Sequence, residues 1–336
     1  MRAFLARKQI EPSFQTYVIT GLSYMALGLF ASLIIGLIIQ TAGEQLGVAF
    51  LEDMGGIAMG LLGPAIGGAV AYGLKAPPLV IFSALAAGAA GEDLGGPAGA
   101  FLAALLATEL GKVVSKETRL DILVTPIVTI AVGFGTAALI GPAIDQALQA
   151  FGGLVNLATE QQPLVMGPLV AVLMGLALTA PISSAAIAIV LGLEGLAAGA
   201  ATVGCSAQMV GFAVASYRDN GVSGLFAQGI GTSMLQIPNV ARKPLVLLPP
   251  TVAGAVLGPI ATTVAGMENN PEGAGMGSSG FVGQIMTLST MGFTTTVALW
   301  IVLLHFVLPA AISWAVARLM DRRGWLEAGD QRIAEG

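Results

Sequence analysis

The sequence is short of charge. Of its 336 residues only 10% are Asp, Glu, Lys or Arg, against 55% in the apolar set, and the mean hydropathy is +0.85. A soluble domain carries about 25% charged residues because its surface has to be solvated. A water-facing shell is therefore excluded, and ordinary cytosolic enzymes with it. The basic sign is the scarcer one, 14 Lys and Arg against 19 Asp and Glu, which leaves no electrostatic footprint for nucleic acid. One cysteine, Cys205, rules out an intrachain disulfide or a cysteine metal cluster. One histidine, His305, completes the poverty of ligating side chains, and nothing calls for a metal or cofactor. What is plentiful is glycine, 46 residues, with 17 prolines. Small residues let helices approach closely in lipid, and proline is tolerated there where neighbours re-satisfy the freed backbone. The composition predicts an all-α fold, a polytopic α-helical membrane protein.

A crossing helix needs about 20 residues. Apolar stretches at 13–41, 55–74, 76–91, 95–115, 121–141, 163–178, 181–194, 196–217, 244–266 and 294–317 predict about ten transmembrane helices. Those at 76–91 and 181–194 are short and read as half-helices. The first apolar region exceeds the roughly 7 to 15 residues of a signal-peptide core, so it counts as structure. With Arg2, Arg7 and Lys8 inside, the alternation puts all 14 basic residues on the cytoplasmic side. The other side receives Glu44, Glu52, Asp53, Glu92, Asp93, Asp145, Glu160, Glu194, Glu268 and Glu272. Both termini are then cytoplasmic. The expected organisation is one membrane-embedded domain over 1–319 and a polar, mobile cytoplasmic tail over 320–336. Segments 142–160 and 222–241 read as amphipathic helices on the outer and inner surfaces, with re-entrant placement as the alternative.

Shifted by 104 residues, the chain matches itself without a gap. Gly63-Pro64 pairs with Gly167-Pro168, Leu74 with Leu178, Ala76-Pro77 with Ala180-Pro181, and Gly88, Gly91 and Gly95 with Gly192, Gly195 and Gly199. The expectation is a parallel internal repeat, with copies over roughly 55–119 and 159–218. Proline removes an amide donor and expels its predecessor from the helical region, so each Ala-Pro step interrupts an apolar run. Paired interruptions in two repeats are the best sequence pointer to a transporter's solute site. At Lys75 a tight interfacial hairpin explains the break. At Thr179 the neighbouring hydroxyls, Thr179, Ser183 and Ser184, suit a hydroxylated solute.

A second polar concentration runs from Glu268 to Gly280, where Asn269, Asn270, Ser278 and Ser279 stand among glycines whose amides can approach an oxygen-rich ligand. If the loop dips into the membrane, Gln284, Thr287, Ser289 and Thr290 extend the lining. The expected binding set is Thr179, Pro181, Ser183, Ser184, Asn269, Asn270, Gly275, Gly277, Ser278 and Ser279. Glu109 and Lys112, at i and i+3, read as a snorkelling ion pair ahead of a proton relay. Arg242-Lys243 reads as an interfacial anchor, and His305 as a histidine hydrogen-bonded to a neighbouring helix rather than a proton shuttle.

The run Leu178-Thr179-Ala180-Pro181-Ile182-Ser183-Ser184-Ala185-Ala186-Ile187 resembles the signature of the PfoR-like branch of phosphotransferase-system enzyme IIC proteins. So do Gln236-Ile237-Pro238-Asn239, Pro249-Pro250-Thr251, Leu257-Gly258-Pro259-Ile260, Glu268-Asn269-Asn270-Pro271 and Gly273 through Gly280. The resemblance implies a bacterial inner-membrane permease subunit, as a homodimer, carrying a sugar or polyol that enzyme IIB, charged through enzyme IIA, phosphorylates in trans. Sugar-carrying relatives have a glutamate before the signature proline, where this chain has Ala180. Two other readings stay open: a solute-sensing membrane regulator without transport, and an ion- or proton-coupled carrier that would need Glu109 or His305 in its cavity.

Overall fold

The computed structural model describes residues 2–333. Among them the secondary structure is helical, with no strand and one isolated bridge, Gly195 to Asn269. Residues through Ala147 form one compact unit and Leu148–Ile333 another.

In the first unit, α1 (Gln15–Leu46) ends where Gly47 turns left-handed at φ 65° and its amide reaches the Gly43 carbonyl. Helices α2 (Ala49–Gly60) and α3 (Leu62–Gly73) follow, bent by 50° at Leu61. Helix α4 (Pro78–Val114) begins on Pro77-Pro78, where the missing amide costs nothing. It breaks at Gly95 (φ −159°, ψ 19°) and Gly96 (φ 57°, ψ −153°), and the chain folds back there so that the Gly91 and Gly99 backbones touch. Helix α5 (Asp121–Thr159) carries the chain onward.

The second unit contains α6 (Pro163–Thr179), the short α7 (Ser184–Val190), α8 (Gly195–Ala215), α9 (Pro244–Thr263), α10 (Val282–Met291) and α11 (Thr295–Arg322). Helix α8 is its axis: Ala198, Ala201, Cys205 and Met209 lie in a core with Val170 and Met174 of α6, and α9 and α11 also pack along α8.

What sets helix spacing is glycine. A Cβ on Gly204 would strike the Ala171 carbonyl, and one on Gly199 the Met267 carbonyl; Gly167 and Gly258 likewise face each other's backbones. In the first unit Gly36 meets Gly55 and Gly63 meets Gly88 in the same way. Large apolar side chains point outward instead, Leu139 82% and Phe293 78% exposed, which suits hydrocarbon rather than water.

Among the described residues six helices are long and apolar enough to cross a membrane, or seven if α2 and α3 count as one span. The ten expected spans thus differ from the structure for identifiable reasons. Those at 76–91 and 95–115 are the two arms of α4, 181–194 is mostly the seven-residue α7 and its turns, and 163–178 lies in the 17-residue α6. Nor is 142–160 a separate surface helix, since α5 runs unbroken through it. Segment 222–241 is a series of short helices whose residues from Gly231 to Asn239 are buried. The two Ala-Pro steps fall in interruptions between helices, at 74–77 and 180–183. The tail, expected to be mobile, is tied down through Ile333. Asp219 accepts from the Gly329 and Gln331 amides at 2.9 and 3.1 Å, Asn220 Oδ1 accepts from the Ile333 amide, and Lys243 pairs with Asp330 at 2.6 Å.

Gly204→Ala is expected to destabilise the protein by about 1–3 kcal/mol through overpacking, whereas Gly153→Ala, with open space at its Cβ, leaves melting in detergent micelles unchanged or slightly raised. Burial would raise the Asp330 carboxyl, but hydrogen bonds from Lys243 and the Glu327 amide, with the Lys243 and Arg218 charges, hold it below the ordinary aspartate range. Its contribution is present above the unfolded value and is lost as pH falls through the depressed one. Hydrogen exchange at Gln331 and Ile333 should stay slow from neutral pH down to about pH 4 and accelerate below it, an acceleration that Asp330→Asn brings on at neutral pH.

Candidate functional site

The polar side chains singled out in the sequence meet in the second unit, on both sides of α8. Helix α6 stops at Thr179 because Pro181 cannot donate to the next turn and Ala180 is extended (φ −69°, ψ 158°). Thr179 is only 2% exposed. Its Oγ1 lies 2.8 Å from Ser233 Oγ, 3.3 Å from the Gly175 carbonyl and 3.4 Å from Gln208 Oε1. Gln208 in turn donates from Nε2 to Thr251 Oγ1 at 2.8 Å, so one hydrogen-bonded chain joins α6, α8, α9 and the 233–236 turn. Past the break, Pro181 is half-buried, Ser183 is exposed, and Ser184 donates to the Gly275 carbonyl at 2.7 Å.

The 268–280 loop closes from the other side. Asn269 is 1% exposed and its Nδ2 reaches Thr202 Oγ1, the Gly283 carbonyl and Thr287 Oγ1 at 2.8, 3.1 and 3.1 Å. Asn270 caps the turn of helix Pro271–Ala274, accepting from the Gly273 amide at 2.9 Å. Gly275 and Gly277 have no room for a side chain, the first against the Ser184 carbonyl, the second, left-handed at φ 56°, against the Cys205–Ser206 backbone. Ser278 and Ser279 donate to the Gly229 and Gly231 carbonyls at 2.6 and 2.8 Å. Thus the Ser184–Gly275 bond links the two predicted clusters directly, and Ser279 and Thr179 meet the same 227–236 segment. Ser183 lies on the exposed side of the break.

Several members were not predicted: Thr202, Ser206, Gln208 and Ser233 are all buried. The available signal was the set of polar residues inside the apolar α8, since polar groups within a span are costly and are kept for packing or function. Gln284 and Thr287 are buried beside the loop, whereas Ser289 and Thr290 are exposed. Gln284 Nε2 lies 3.0 Å from His305 Nδ1, which is the helix-to-helix hydrogen bond expected for that histidine. The pair is incompletely satisfied: Gln284 Oε1 and His305 Nε2 are buried without partners. His305 sits in a π-helical stretch, Val302–Val307, a local form that recurs at functional sites.

Ionised groups stay outside this seam. Glu194, Glu268 and Glu272 are exposed near the Gly195–Asn269 bridge, and in the first unit Glu109 pairs with Lys112 at 2.9 Å and accepts from Tyr17 Oη at 3.2 Å. No group of three His, Cys, Asp or Glu side chains among the described residues is placed to hold a metal. The seam can offer uncharged donors and acceptors to a ligand.

Apolar spans, proline-broken helices and a neutral polar seam define a polytopic helical membrane protein whose hydrogen-bonding capacity is gathered at its breaks. The model of the family described as phosphotransferase system, EIIC matches residues 19–333, and the chain belongs to that family, the membrane permease component of a phosphotransferase system. No curated protein and no solved structure matches it.

The Thr179–Ser233 contact should show coupling. In a double-mutant cycle with Thr179→Val and Ser233→Ala, an interaction energy of about 1 kcal/mol is expected from thermal or denaturant unfolding; additive effects would mean that the hydroxyls are not engaged with each other.

Proposed function

We propose that this enzyme IIC binds and translocates a small sugar or polyol at the α6–α7 break and the facing 268–280 loop, and belongs to the PfoR-like branch. The observation that carries the reading is the seam's chemistry. Hydroxyls and amides from α6, α8, the 227–236 segment and the loop converge without an ionised side chain, and Gln284 Oε1 with His305 Nε2 keeps acceptor and donor capacity in reserve. A polyhydroxylated solute presents the same groups. It can exchange with the internal bonds at a net cost of about 1 kcal/mol or less apiece, and the site never strands an unpaired charge in lipid.

Each bond that closes the seam is also one a solute can replace. Ser184–Gly275, Ser278–Gly229 and Ser279–Gly231 fasten the loop to the broken helix and the 227–236 segment; a sugar hydroxyl between them takes the carbonyl from one side and the serine from the other. Asn269, bonded to both α8 and α10, carries the loop's position to the Gln284–His305 pair. Phosphorylation is performed in trans by enzyme IIB, recharged by enzyme IIA, as the resemblance and the family imply. The setting is the bacterial inner membrane, with both termini cytoplasmic as the Lys and Arg distribution supports, and the functional unit is the homodimer that the resemblance implies.

Proteoliposomes tested with a panel of sugars and polyols, with and without phosphorylated enzyme IIB, check this. Uptake of one class, retained as its phosphate ester only when enzyme IIB is present, is expected. Thr179→Val should raise KM about fivefold, the loss of one neutral hydrogen bond, with little change in maximal rate. Ligand-induced thermal stabilisation without flux would identify a sensor instead.

A further inference from the structure

A cluster of basic side chains lines a cavity in the first unit. The cavity encloses roughly 480 Å³ where the segment before α1, the α3–α4 turn and the α4–α5 connection meet. Its walls carry Arg7, Lys8, Lys75, Lys112 and Lys116 against one carboxylate, Glu117, in a chain with only 14 basic residues.

Lys112 belongs to the fold. Its ammonium is 1% exposed and its three donors go to Glu109 Oε1, the Gln9 carbonyl and the Leu74 carbonyl at 2.9, 2.7 and 2.9 Å. The other four cations are less well matched. Arg7 and Lys8 share Glu117, at 2.8 and 2.6 Å. Lys75 and Lys116 are exposed and form no ion pair among the described residues. Asp121, nearby, gives its Oδ1 to the Lys116 backbone amide and the Thr125 hydroxyl. Like charges held together in this way repel, and the protein supplies Glu117 on the wall and Asp121 beside it to offset four of them.

The backbone is also strained at this place. Gln9, Lys75 and Lys116 have φ of 55°, 56° and 62°; among the described residues Phe281 is the only other non-glycine residue with positive φ. Such conformations persist where the surrounding structure imposes them, and they gather at ligand sites. The amino end of α4 opens on the same cavity at Pro77-Pro78, and its dipole adds positive potential. On one flank Leu120, Ile122 and Leu123 stand 62%, 72% and 57% exposed, an apolar surface beside the charged walls.

We propose that this cavity is a binding site for a phosphate group, either the headgroup of an anionic phospholipid or a free phosphate ester. A tetrahedral oxyanion accepts from several directions at once, which fits the Arg7 fork and the separate Lys75 and Lys116 ammoniums, and the volume admits a headgroup rather than a bare ion. The proposal does not depend on sugar transport, and its test involves none.

The purified full-length chain in detergent micelles is titrated with inorganic phosphate at an ionic strength held constant with potassium chloride, and melting is followed. In parallel the chain is placed in nanodiscs of phosphatidylcholine with and without phosphatidylglycerol. Wild type is expected to be stabilised by one of these probes. Lys75→Gln with Lys116→Gln should weaken the response about tenfold or more, while the variant without ligand melts no lower than wild type because repulsion is relieved. A response to inorganic phosphate identifies a free ester site, and one confined to phosphatidylglycerol a lipid site. No response to either probe, a response kept by the double variant, or one that chloride reproduces overturns the proposal.

Discussion

Contact between helix backbones is the interaction on which the structure rests. In lipid the surroundings of a helix are as apolar as its neighbours, so burial drives association far less than in water, and short-range packing with hydrogen bonding takes over. Dispersion is worth having only at van der Waals distance. The positions where Gly204 lies on the Ala171 carbonyl, Gly167 on Gly258, and Gly63 on Gly88 therefore fix helix spacing in both units, and every side-chain contact is arranged around them. This is why so glycine-rich a chain can also be so helical: the residue that weakens an isolated helix allows these helices to touch.

Close packing leaves little room for ions. A buried pair, Glu109 with Lys112, is surrounded by Tyr17 Oη and two backbone carbonyls, the kind of partners that a buried ammonium and carboxylate require. In the seam of the second unit the polar groups are neutral, and many of their bonds run from a hydroxyl or amide to a backbone carbonyl. Such bonds are individually modest. A break can therefore be fastened by several of them and still exchange one without exposing an uncompensated charge.

The class of fold was legible because it follows from composition and run length alone. The breaks at Pro77 and Pro181 and the Asn- and Ser-rich loop were legible because proline and clustered polar residues act locally. What escaped was non-local. That Asn269 turns to Thr202 and Thr287, or Thr179 to Ser233, depends on the register of elements 18 to 67 residues apart. At α4 hydropathy separates two arms, and the structure breaks between them at Gly95–Gly96, where the chain folds back. The tail, by contrast, was misjudged. A polar stretch reads as solvated, and hydropathy carries no record of acceptors awaiting it on Asp219 and Asn220.

That docked tail bears on how the protein is made. Gln228, Gln236 and Asn239 form a buried amide ladder whose last donors end on the backbone carbonyls of Gln331 and Arg332, 95 residues beyond Gln236 and 93 beyond Asn239. During synthesis those amides leave the ribosome well before their acceptors do, so the ladder must stay hydrated or chaperoned until α11 has been inserted. The interior around Gln236 and Asn239 is thus closed by acceptors that are translated only after α11.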